Sequence, residues 1–87
     1  MEIIGVQRVD YTSKKSGRPV KGWRVYYSEP RDGVVGVRCA SEFVSEDAGA
    51  AFFALFGYNL SDCIGVSADF VYRRFGNNVS VEGIRSL

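Results

Sequence analysis

Two clusters of side chains in this chain have the types and spacing to do chemistry. In the first, Lys14, Lys15, Arg18, Lys21 and Arg24 lie between residues 13 and 24 with no acid among them. Tyr11 stands before these cations, and Trp23, Tyr26 and Tyr27 stand among and after them. In the second, Arg73, Arg74 and Phe75 run directly into Gly76. Cations neutralise phosphates, and their contribution falls steeply with salt. Flat rings stack on bases at roughly 1–3 kcal/mol each, whatever the base. Cations and rings in close company therefore point to an unpaired nucleic-acid strand bound with little sequence preference. Lys14, Lys15, Arg18 and Lys21 read as a flexible loop able to follow a backbone. Arg24 and Tyr26 alternate with Trp23 and so share the opposite strand face. Arg73, Arg74 and Phe75 read as the tip of a hairpin, where an unused ring is costly. Tyr11 is open to either a core or a binding role.

Other chemistries fit less well. The chain has no histidine, so a general base would have to be a carboxylate or a lysine. Its acids are scattered, and no pair has the spacing of a catalytic dyad. Gly17 and Gly22 have the separation of a phosphate loop, but Trp23 and Arg24 follow and the segment leads into a strand. No enzyme is expected. Cys39 and Cys63, without histidine company, argue for buried small hydrophobes rather than zinc ligands. Neither a metal nor a cofactor is expected. Net charge is only +1, yet it is unevenly distributed: residues 39 to 70 hold five acids and no base. A cationic face and an acidic one follow from that separation. The chain lacks a membrane-length apolar run and a secretory leader pattern, so an intracellular, cytoplasmic protein without a membrane partner is expected.

The elements that must position these groups are mostly strands. "EIIGVQRVDYT" reads as the first strand, "SKKSGRPVKG" as a loop, "WRVYYSE" as the second strand and "PRDG" as a turn. "VVGVRCASEFV" reads as a third strand in which Gly36 marks a bulge or bend. "SEDAGAAFFALFG" reads as a short helix with Ser45 as N-cap, Glu46 and Asp47 in the first turn and Gly57 as its stop. It is apolar nearly all round and should be well covered. "VSADFVYRR" and "VSVEGIRSL", joined by "FGNN", close the chain as a hairpin. The expectation is a single mainly β domain over residues 1–87: a five-stranded antiparallel OB-fold barrel with one short helix between strands 3 and 4.

The block "YTSKKSGRPVKGWRVYY" and the closing hairpin "DFVYRRFGNNVSVEGIRSL" resemble the small OB-fold single-stranded DNA-binding, or helix-destabilising, proteins of filamentous phages. The shared pattern is an aromatic-Thr-Ser-basic-Ser-Gly run entering a basic loop, and a Phe-Gly hairpin tip before an "I-R-L"-like strand. The resemblance covers about half the chain, and "AGAAFFALFG" departs from it. It implies a homodimer coating single-stranded DNA during phage or mobile-element replication in a bacterial host cell, with messenger RNA as a further target. It assigns phosphate contact to Lys14, Lys15, Arg18 and Lys21, stacking to Tyr26 and Phe75, and a backbone role to Arg85. The alternative is a small protein–protein interaction module using the apolar helix over 45–57, which predicts an exposed apolar patch near Phe52 to Tyr58.

Overall fold

A computed structural model of the protein describes all residues, 1–87. Five antiparallel strands and one short helix build it, in the order β1 (Glu2–Thr12), β2 (Pro19–Pro30), β3 (Val37–Ser45), α1 (Glu46–Ala54), a 3-10 turn (Leu60–Cys63), β4 (Ala68–Phe75) and β5 (Asn78–Ser86). β1, β2 and β3 form one meander, and β4 with β5 forms a separate ribbon. The two sheets are joined at their edges by a single bridge, Glu2 to Ser67. Backbone bonds from Ile3 N to the Val66 carbonyl (3.0 Å) and from Gly65 N to the Ile3 carbonyl (2.7 Å) reinforce that seam. The expected barrel is therefore not closed. Closure needs ladders along both seams, and here one seam holds a lone bridge and the β3–β5 seam holds none.

Alternation along β2 decides which face is core. Val25 and Tyr27 are buried with Trp23 beside them, whereas Arg24 and Tyr26 project from the other side. Ser45 Oγ accepts from Ala48 N at 3.3 Å and caps the start of the helix. The helix lies over the inner face by burying Phe52 and Phe53 with Ile3, Val25, Val44, Cys63 and Ala68. Phe53 meets the Trp23 ring edge-on at 4.8 Å. Gly49 is required at the crossing, since a Cβ there would overlap the Trp23 indole. The helix is covered on one side only: Leu55 stays exposed, and the chain then turns away through Gly57 and Tyr58, both at positive φ.

Three local expectations change. β2 begins at Pro19, not Trp23, because the ladder with β1 continues through Lys21–Asp10 and Val20–Tyr11 to Pro19–Thr12. Proline fits there as the first residue of a strand. Gly36 (φ 94°) lies in the turn before β3 rather than within the strand. Of the two cysteines, Cys63 is buried as expected, but Cys39 is exposed. The radius of gyration, 13.9 Å, exceeds the roughly 12 Å expected for a compact chain of this length. Hairpins that reach beyond a thin core of eight buried apolar residues account for the excess.

Candidate nucleic-acid interface

Directly opposed residues in an antiparallel ladder point the same way, so the register populates the outer face of the three-stranded sheet. Tyr26 stands between Gly5 and Ser41, Arg24 between Gln7 and Phe43, and Gly22 between Val9 and Ser45. Tyr26 lies against Gly5, within ordinary van der Waals distance of where a Cβ would be, and its hydroxyl donates to Gln7 Oε1 at 2.9 Å. The Phe43 ring lies over Gly22, where a Cβ would collide with it. Two rings are thus laid on two glycines, and they remain 38% and 37% exposed. Arg24 Nη1 donates to Ser41 Oγ at 3.2 Å, which holds the guanidinium on this face between the rings.

The β4–β5 hairpin adds a second wall. Its turn places Gly76 at the first central position with φ 56°, as a two-residue hairpin with leading glycine requires. Phe75, 57% exposed, carries the Arg73 guanidinium 4.7 Å from its ring centroid. Phe43 and Ser45 from the meander join Arg73, Phe75, Ser80 and Glu82 from the ribbon around one open groove of about 360 Å³. Neither Phe43 nor Phe75 packs against another ring.

The predicted residues separate into groups. Arg24 and Tyr26 share the outer face, and Arg73 and Phe75 line the groove beside Phe43. Lys14, Lys15 and Arg18 sit at the β1–β2 tip, three residues of strand beyond Gly22 (roughly 10 Å). The tip is a closed turn rather than a flexible loop: Ser13 N bonds the Arg18 carbonyl at 2.9 Å and Gly17 N bonds the Ser13 carbonyl at 2.8 Å. Gly17, at φ 68°, supplies the left-handed residue this turn needs. Lys21 is in β2 and has the alternation of Trp23, so it points away from Arg24 and Tyr26. Arg74 also faces away from its neighbours Arg73 and Phe75, and its Nε donates to the Gly76 carbonyl at 3.2 Å. Arg85 pairs with Asp69 at 3.9 Å.

Lys14, Lys15 and Arg18 at the tip, Arg24 on the outer face and Lys21 on the inner side take part in none of the four salt bridges. The acids Glu29 and Glu42 have the inward alternation of Val25 and Val44. With Asp69, Arg38, Tyr27 and Tyr72 they border a second cavity of about 360 Å³. Burial, then the Glu42 and Glu29 carboxylates, push the Tyr27 phenol above its ordinary value.

Sequence reasoning missed Phe43 and Glu82. Phe43 could have been found from the strand period: Val44 is core, so its neighbour faces out. Its place beside Arg24 depends on register, which no local pattern states. The patch expected on the helix is reduced to Leu55 and Tyr58, each 68% exposed, because Phe52 and Phe53 are core. No protein-family model matches the chain, and neither a curated protein nor a solved structure matches it.

Proposed function

We propose that the protein is a non-enzymatic single-stranded DNA-binding protein that takes the strand along the outer β2–β3 face and between the two hairpin tips. The observation that carries this reading is the groove shared by Phe43, Phe75 and Arg73, continuous with Arg24 on the same sheet face. Arg24, which takes part in no salt bridge, flanks two rings that rest on glycine. This division of labour, a strand 2–3 face with loops 1–2 and 4–5, is the one by which OB-folds hold oligonucleotides. Lys14, Lys15 and Arg18 supply phosphate attraction at the hairpin tip, Lys21 adds charge from the other side of β2, Arg24 and Arg73 act within the face, and Tyr26, Phe43 and Phe75 stack on bases. Arg74 contributes charge at the second tip. Dimerisation, and a place in phage or mobile-element replication within a bacterial cytoplasm, rest on the resemblance of the two sequence blocks.

The test is anisotropy of a labelled oligo(dT) titrated with the protein at low and moderate salt. Binding at low salt that weakens as salt rises supports the reading. Absence of binding at low salt, or affinity indifferent to salt, removes it. A second reading is favoured by exposed Leu55 and Tyr58: a partner protein docks beside α1. Replacing Lys14, Lys15 and Arg18 together with Ala separates the two, because it weakens strand binding and leaves a partner at Leu55 and Tyr58 untouched.

A further inference from the structure

Glu82 has no evident place in a surface built for phosphate, since a carboxylate beside Arg73 and Phe75 repels the backbone those groups attract. The register explains how it comes to be there. Tyr72 pairs with Val81 and Val71 with Gly83, so Glu82 is the extra residue of a β-bulge in β5. Bulges re-aim side chains and recur beside functional sites. This one turns Glu82 to the side of Ser80 and Arg73, where it borders the groove between Phe43 and Phe75. Its carboxylate accepts no hydrogen bond from any protein group, and the nearest cation, Arg73 Nη1, stands 3.8 Å away. That is an attraction across a gap rather than a satisfied acceptor.

We propose that this groove is a base-reading subsite and that Glu82 makes it prefer guanine. The inference rests on the single-strand reading above and deepens it. A carboxylate offers two acceptor oxygens side by side and no donor. Guanine is the only standard base whose Watson–Crick edge presents two adjacent donors, the ring N1–H and the exocyclic N2 amino group. Cytosine and adenine set a ring acceptor beside their amino group, and thymine flanks its one N–H with two carbonyls, so each meets the carboxylate with at least one repulsion. Splayed bases of single strands are read on this edge while they stack on rings. Phe43 and Phe75 supply the stacking surfaces. Arg73, over the Phe75 ring, steadies the wall and balances the carboxylate's charge. The rest of the face stays indifferent to sequence, so the preference belongs to one position in the bound strand.

The experiment compares oligo(dT) carrying isolated dG residues with the same strand carrying dA, dC or deoxyinosine at those positions. Spacing the dG residues by dT prevents quadruplexes. The expected result is about tenfold tighter binding of the dG strand, in the range of a good bidentate base contact. Deoxyinosine, which lacks the exocyclic amino group, loses most of that gain. In Glu82→Gln the dG advantage, taken relative to that variant's own affinity for plain oligo(dT), falls below about twofold. A thermal melt checks that the variant folds as the parent does. Equal binding of all strands by the parent protein overturns the proposal and leaves the single-strand reading standing, as does a dG preference that survives Glu82→Gln. Failure to bind any strand overturns both.

Discussion

At the scale of single residues, the two glycines beneath the rings matter as much as the rings. Gly22 is buried, and Phe43 lies across it, so Gly22→Ala forces the ring and the Val44 carbonyl to move. The expected cost is about 1–3 kcal/mol of stability, together with weaker strand binding, read by urea denaturation and by anisotropy. Gly83→Ala is the control: a Cβ there meets nothing within 4 Å, and the substitution should be neutral in both measurements. Phe75 covers nothing in the core, so Phe75→Ala should weaken strand binding by about 1–3 kcal/mol with an unchanged urea midpoint. Tyr26 and Phe75 could be singled out from the sequence because a ring among cations, or a ring at a turn, is conspicuous. Phe43 sits in "SEFVS" with an acid beside it; strand alternation turns the acid inward and the ring outward, and only the pairing of β3 with β2 puts that ring beside Arg24 and over Gly22. The opposite fate of Lys21 has the same cause. One residue decides the face of a strand side chain, and a loop reading assigns no face at all.

At the scale of elements, α1 depends on its cap and on two adjacent phenylalanines. Ser45→Ala removes the acceptor for Ala48 N and should cost about 1 kcal/mol. Phe53→Ala removes a fully buried ring from against Trp23 and should cost about 3–5 kcal/mol, with an altered tryptophan emission. Chemical denaturation followed at that emission measures both. The helix start was legible because Ser45, Glu46 and Asp47 are a local signal. β1 was legible because its β-branched alternation is local too. The extension of β2 back to Pro19 was not. Proline and two glycines speak locally for a loop, and a ten-pair ladder with β1 overrides them. Barrel closure was illegible for a stronger version of that reason, since seams between sheets are decided by contacts far apart in sequence.

For the molecule as a whole, Lys14, Lys15, Arg18 and Arg24 lie at the tip and on the outer face without a carboxylate partner, while Glu29, Glu42 and Asp69 gather with Arg38 around the inner cavity. The blockwise charge pattern in the sequence marks the basic tip, but strand alternation puts Lys21 and Arg38 on the inner side and the bulge puts Glu82 on the outer. The buried side also sets an alkaline limit on stability. Burial and nearby carboxylates raise Tyr27 above 10.0, and burial with Asp62 raises Cys63 above 9.0. The folded chain therefore holds these protons more tightly than the unfolded chain does. Their contribution is intact below the unfolded values and is lost as pH climbs through them toward the folded ones. The melting temperature should stay level through neutral pH and fall above pH 9.0, less steeply in Tyr27→Phe.

The unequal exposure of the two thiols has a practical outcome. Cys39 is open to solvent on the same sheet face as Tyr26, whereas Cys63 is sealed in the core with a thiol slow to ionise. A maleimide dye offered to the native chain at neutral pH should therefore couple at one position, two residues along β3 from the partner of Tyr26. No engineered cysteine is needed to place a fluorophore at the margin of the track, where its brightness reports whether a nucleic acid has arrived.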